Sequence, residues 1–286
     1  MGRHPPSASP VELEASASEG LRPFERSSGR SVYPPLRTRG RVVAVSLTLP
    51  LLHLDESVAV VSKPSGLLVH RGGWADDADV ALTRLRDQLG RKVFPLHRLD
   101  RGTSGALVFA LSSELASELG KAFEEGRVEK RYLALVRGIA PESVLVDHPI
   151  PRREDGPKVE ARTSLRRLCS LDESLAGGRF SLVEARPHSG RLHQVRRHCK
   201  HLSHPILGDA NYGKGELNRS FRDAHGLGRL ALHAAALAFP HPATGTWLQV
   251  GCPMPEDFAG PLLRLGVPAV LLEPEEHLLL PPCSKG

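Results

Sequence analysis

Apolar positions in this chain fall mainly in short runs bounded by turn residues. VAVVSK (58–63) is closed by Pro64-Ser65-Gly66 and followed by LLVH (67–70), which predicts strand, turn and strand. ALTRLRDQL (81–89) instead spaces Ala81, Leu82, Leu85 and Leu89 helically, whereas GALVFALS (105–112) reads as a buried strand. Leu111, Leu115, Leu119, Ala122 and Phe123 then share one helical face, with Ser112 or Ser113 as N-cap. Strand-like runs follow at 130–137, 144–150, 159–168, 180–186, 231–239 and 247–252, and a last helix is predicted near 258–265. Helices do not alternate regularly with strands, so the pattern predicts an α+β fold: a mixed, largely antiparallel sheet flanked by helices. No internal repeat is visible.

The ends break this pattern. Residues 1–41 hold six prolines, seven arginines and four acids without apolar period, which predicts a disordered tail. A transit peptide is argued against by Glu12, Glu14, Glu19 and Glu25. The ordered domain is expected over 47–270, and 273–286 as a loose C-terminal tail. At 286 residues with 40 % hydrophobic content, the chain is long enough for one large domain with a sizeable core.

No apolar run approaches the roughly 18 residues of a membrane span, and no secretory signal opens the chain. Cys169, Cys199, Cys252 and Cys283 are isolated, which fits a reducing cytoplasm and removes the usual zinc signatures. The net charge of +6 is modest, but its placement is not. Arg186 to Arg222 carries eight bases against Asp209 and Glu216 alone, so this stretch equals the whole chain's excess. Such a patch suits phosphate backbones, or else forms a solvated basic face. It also holds His188, His193, His198, His201 and His204, yet no H-E-x-x-H occurs and few carboxylates are near, so no metal site is expected.

Three segments could carry chemistry. In Pro95-Leu96-His97-Arg98-Leu99-Asp100-Arg101-Gly102-Thr103-Ser104-Gly105, two arginines flank Asp100. Nearby guanidiniums would keep that carboxylate ionised as a nucleophile or base, or merely close a turn. Ala106 breaks a G-x-S-x-G elbow, and Asn218 breaks a dinucleotide loop at Gly213-Lys214-Gly215. Tyr132 lies among bases in Lys130–Val136, placed to stack on an exposed base or to half-bury in a strand. In Ser189–Leu202, Leu192, Val195, Cys199 and Leu202 form an apolar helical stripe. Arg196 lies roughly 80° from its centre, where it can turn inward to a carboxylate. Arg197 and His201 point outward, Arg197 toward phosphates.

Together, His97-Arg98-Leu99-Asp100-x-x-Thr103-Ser104-Gly105, Lys130-Arg131-Tyr132, Gly190-Arg191-x-His193-Gln194-x-Arg196-x-His198 and His204–Asp209 resemble the RluA family of RNA pseudouridine synthases. Lys63-Pro64-x-Gly66 and Leu232-His233-Ala234 extend the likeness, which covers about 47–265 and leans toward the tRNA-modifying members.

The resemblance implies that Asp100 is the catalytic nucleophile, that Tyr132 stacks on the target uracil, and that Arg196 pairs with Asp100. It implies that Arg98 fills the gap left by a flipped nucleotide, with His97, Arg101, Arg191, Gln194, Arg197 and Lys200 as further substrate-binding residues. The expected substrate is RNA: tRNA near the T stem and acceptor junction first, ribosomal RNA second. No cofactor is expected, because the implied isomerisation is redox-neutral, and no obligate protein partner is inferred. The rival readings are a non-catalytic RNA-binding module and a metal-dependent hydrolase built on His193–His204.

Overall fold

The computed structural model describes Met1 and residues 48–70, 79–151, 156–173 and 178–274. The chain divides into Met1–Val45 and Ser46–Gly286, and every element below belongs to the second unit. The expected N-terminal tail, apart from Met1, and residues 275–286 of the expected C-terminal tail lie outside the described residues.

The chain begins with β1 (Leu51–Leu54), β2 (Val58–Lys63), α1 (Ala81–Leu89), β3 (Phe94–Pro95), β4 (Ser104–Ala110), α2 (Ser113–Glu124) and β5 (Glu129–Arg137). Next come β6 (Ser143–Asp147), β7 (Ile150–Pro151), β8 (Lys158–Val159), β9 (Arg162–Glu173), β10 (Gly178–Pro187), α3 (Gln194–His201) and α4 (Gly215–His225). β11 (Leu232–Pro240), β12 (Trp247–Gly251), α5 (Glu256–Arg264) and a 3₁₀ turn at Ala269–Leu272 complete it. Among the described residues one sheet runs β1-β2-β4-β11-β5-β10-β9-β6, with β12 beside β11 and β3 beside β4. Among the described strands only β4 and β11 pair in parallel, so the sheet is mixed and largely antiparallel, and the fold is α+β as the pattern predicts.

The unbroken apolar runs are explained by burial on both sheet faces. Ala59, Val61, Leu107 and Phe109 pack with Ala81 and Leu85 of α1. The alternate residues Val58, Val60, Ala106 and Val108 pack with Leu119 and Ala122 of α2. Ser112 caps α2 by accepting from the Leu115 amide at 3.3 Å. The largest cluster joins β5 and β10 to Val195 and Cys199 of α3, Phe221 of α4, and Phe258 and Leu262 of α5.

Three sequence expectations differ. LLVH (67–70) is not a strand; Leu67 and Val69 sink into the α1 cluster from an irregular segment, so the apolar run signals burial rather than extension. Leu111 precedes α2 and joins that same cluster instead of the helix face. α4 has no counterpart in the prediction: the Gly213-Lys214-Gly215 cluster reads as a loop, yet the helix begins at Gly215 and anchors through Phe221.

Candidate active site

Asp100 sits in the loop entering β4. Buried Leu99 pins this loop to the core, and the Thr103 amide donates back to the Asp100 carbonyl at 3.0 Å. The Pro64-Ser65-Gly66 turn staples it from outside: the Gly66 amide donates to the Arg101 carbonyl at 2.7 Å, and Ser65 Oγ to the Gly102 carbonyl at 2.7 Å. Beneath that turn lies the fully buried Lys63 ammonium, donating to the carbonyls of Pro64 and Leu67 at 2.8 Å each. Burial pushes its pKa down to about 7, helped by the Arg229 charge and opposed by Asp100. Gly105 has φ +125°, and a Cβ there would fall against the Ala234 backbone, so only glycine lets β4 and β11 pair in parallel beside the loop.

α3 delivers Arg196 to this loop. Its Nη1 donates to Asp100 Oδ2 at 3.0 Å, while Nε and Nη2 grip Asp209 at 2.8 and 2.9 Å. The inward turn expected of this stripe-border arginine is what the structure shows. Burial opposes the guanidinium's charge, but the hydrogen bonds it donates to Asp209 and Asp100, with their negative charges, outweigh it and raise the pKa. Burial alone would raise the Asp209 pKa; the Arg196 hydrogen bonds and charge, with the Tyr212 and Asn211 amides, hold it below the usual range instead. Tyr132, from β5, is half-buried between two core clusters. Burial and the neighbouring Asp100 charge push its phenol pKa up, so the ring is neutral.

The other predicted residues separate by role. Arg98 and Lys200 are exposed and have no side-chain partner among the described residues, so both are available to a polyanion. Exposed Arg101 donates from Nε to the Gly66 carbonyl at 2.9 Å, and Arg191 from Nε to the Glu160 carbonyl at 3.3 Å. The arginine at Asp100 is thus the distant Arg196; among the described contacts neither flanking Arg98 nor Arg101 pairs with the carboxylate. His97 faces inward, stacked on Phe123 at 5.2 Å and accepting from the Val108 amide at 3.2 Å. Burial, with the Lys130 charge, drives its pKa down to about 3. Gln194 is buried and saturated: its Oε1 accepts from Ser189 and Arg191, and its Nε2 donates to Arg162 and Thr163. Arg197 is half-buried and donates from Nε to the Tyr212 hydroxyl at 2.8 Å, so it is less free than an outward surface arginine.

Sequence reasoning missed Asp209, Tyr212 and His193 as site members. Asp209 had a visible signal, being one of two acids in the basic stretch. The five histidines of that stretch go separate ways. His188 meets Ser164, His198 meets Thr163, His201 stacks on His148, His204 reaches the Arg137 carbonyl, and His193 faces Asp100. Among the described residues no His, Cys, Asp or Glu cluster is arranged to hold a metal, and no helix is long and apolar enough to cross a membrane.

A carboxylate held by a buried arginine beside a neutral tyrosine, within a basic surface, is the kind of site an RNA-modifying isomerase needs. The sequence profile of the RNA pseudouridylate synthase family matches residues 57–201, and the chain belongs to that family of RNA-modifying enzymes. It is 41 % identical over 235 residues to tRNA pseudouridine synthase C of Vibrio cholerae, covering 76 % of this chain and 96 % of that protein. The corresponding protein of Haemophilus ducreyi is 43 % identical over 214 residues, 69 % of this chain and 88 % of its own length. Among solved structures, human RNA pseudouridylate synthase domain containing 1 superposes with a TM-score of 0.62 at 29 % identity, covering 77 % of this chain and 90 % of its own.

Proposed function

We propose that this enzyme isomerises a uridine of tRNA, near the junction of the T and acceptor stems, using Asp100, Tyr132 and Arg196. The observation that carries the proposal is the Asp100–Arg196 contact at 3.0 Å, which ties down Oδ2 and leaves Oδ1 for the substrate.

Uridine must first leave its stack, at a cost of a few kcal/mol. The exposed cations Arg98, Arg101 and Lys200 hold phosphates and offset that cost, with Arg98 filling the vacated space. Tyr132 stacks on the uracil. The N1–C1′ bond breaks, the base turns, and a C5–C1′ bond forms; C5 loses a proton and N1 gains one. Asp100 Oδ1 either bonds to C1′ or takes a sugar proton during the transfer, and Arg196 keeps the carboxylate aimed throughout. Substrate and product have the same atoms and oxidation level, so no oxidant or reductant takes part. His97 and Gln194 support the site from within the fold. The catalytic domain is assigned to 47–270, and the cytoplasm is the compartment this activity suits.

The test uses unmodified tRNA transcript and ribosomal RNA fragments carrying tritium at uracil C5. Release of tritium from tRNA alone supports the proposal, whereas release from ribosomal RNA alone moves the target and keeps the chemistry.

A further inference from the structure

Among the described residues, His193 is the one candidate base whose ring faces the free oxygen of Asp100. Its Nε2 lies 3.7 Å from Oδ1, while Oδ2 is held by Arg196. That separation is too long for a hydrogen bond, and closing it takes less than 1 Å.

The ring's proton is placed by its other neighbours. Tyr212 Oη accepts from Arg197 Nε at 2.8 Å, so its own hydrogen is free to point at His193 Nδ1, 3.1 Å away. A neutral His193 therefore accepts at Nδ1 and carries its hydrogen on Nε2, toward Asp100. The Tyr212 ring is itself held beneath Arg196 and Arg197, whose guanidinium carbons lie 5.1 and 5.7 Å from its centre. The backbone adds an independent sign. His193 has φ +53°, one of two non-glycine residues in the left-handed region among the described residues. A side chain pays for that conformation, and the strain is retained where surrounding contacts require the placement.

We propose that His193 is a positioning residue for Asp100, held as the Nε2–H tautomer by the Arg197–Tyr212 relay, and that protonating it disables the site. Neutral His193 points its Nε2–H dipole at Oδ1 from 3.7 Å and biases that oxygen's position without bonding to it. Protonated His193 pairs with Oδ1 and withdraws it from the substrate. The charged groups facing the ring are Asp100 and Asp209, which favour protonation, and Arg196 and Arg197, which oppose it; burial opposes it most and keeps the pKa below the ordinary histidine value. This inference rests on the assignment of Asp100 above.

The test is the single-turnover rate of tritium release between pH 5 and 9 for the full-length protein, His193→Asn and Tyr212→Phe. Asparagine tolerates positive φ, so the first variant keeps the backbone. The wild type is expected to lose rate at acid pH, on a limb below pH 6.5. His193→Asn should be roughly tenfold slower at pH 8, a factor equal to one pKa unit's worth of interaction, with that limb gone. Tyr212→Phe removes the donor to Nδ1 and should move the limb upward. A His193→Asn rate that keeps the wild-type acid limb overturns the proposal, because a merely structural role lowers the rate at every pH alike. An Asp100→Asn protein that still releases tritium would overturn the assignment beneath it instead. Should His193→Asn fail to fold, an unmoved limb in Tyr212→Phe overturns the relay.

Discussion

Asp209 grips the Nε and Nη2 edge of Arg196 at 2.8 and 2.9 Å, and so leaves Nη1 alone to reach Asp100. The two-point contact fixes the guanidinium plane, which a single hydrogen bond would not. Asp209 is fixed in turn by the Asn211 and Tyr212 amides, and Gly208 before it holds φ +72°, where a Cβ would strike the Arg229 carbonyl.

Asp209→Asn should therefore lower kcat at least tenfold with little change in KM, since the substrate does not touch it. Removing one partner of a buried ion pair also destabilises, by about 3–5 kcal/mol, which urea denaturation reads directly. A variant with normal kcat would detach Asp209 from the function of Arg196.

Much of this site is legible in the sequence itself. The Asp100 loop stood out as a dense polar sentence entering a buried strand, and helical geometry put Arg196 on the border of its stripe, free to turn inward. What the chain could not disclose was the partner thirteen residues on, because Asp209 meets Arg196 only after the loop following α3 folds back. Local spacing pointed instead to Arg98 and Arg101, neighbours in sequence whose side chains leave the carboxylate. LLVH and α4 failed for a related reason: a short apolar run reports burial without geometry, and a glycine-rich opening hides a helix held by Phe221.

Tyr132 separates stacking from hydrogen bonding. Tyr132→Phe keeps the ring and should retain most activity. Tyr132→Ala should cost about 1–3 kcal/mol of base stacking, roughly 5- to 150-fold in kcat/KM. Equal losses in both variants would place the hydroxyl, not the ring, in the chemistry.

The salt dependence of RNA binding distinguishes surface cations from site cations. Lys200 is exposed and has no side-chain partner among the described residues, so Lys200→Ala should flatten the slope of log K against log salt by just under one unit and leave the single-turnover rate alone. Arg197→Ala releases Tyr212 as well, so it should slow the chemical step in addition to weakening binding. An unchanged single-turnover rate in Arg197→Ala would make it a phosphate contact only.

Glu184 predicts the acid response of stability. It is buried under Arg131, Arg186 and Arg166, with Arg131 Nε at 2.7 Å. Burial alone would raise its pKa; the hydrogen bond and charges of these arginines hold it below the usual value. A carboxylate depressed in the folded state stabilises above its unfolded pKa of about 4.3, and that contribution fades as pH falls through the folded value. Glu184→Gln should thus cost stability at pH 7 and progressively less below pH 4. A loss of the same size at both ends would assign the cost to packing.

If the Asp100 carboxylate, and not the basic surface around it, performs the isomerisation, turnover and RNA binding must separate when that carboxylate is removed. The most direct measurement compares tritium release and RNA affinity for the wild type and Asp100→Asn on the same C5-tritiated tRNA transcript. Release by the wild type, none by the variant, and affinities within a few fold of each other are expected. Release by Asp100→Asn at a comparable rate, or a loss of affinity as large as the loss of turnover, would contradict it.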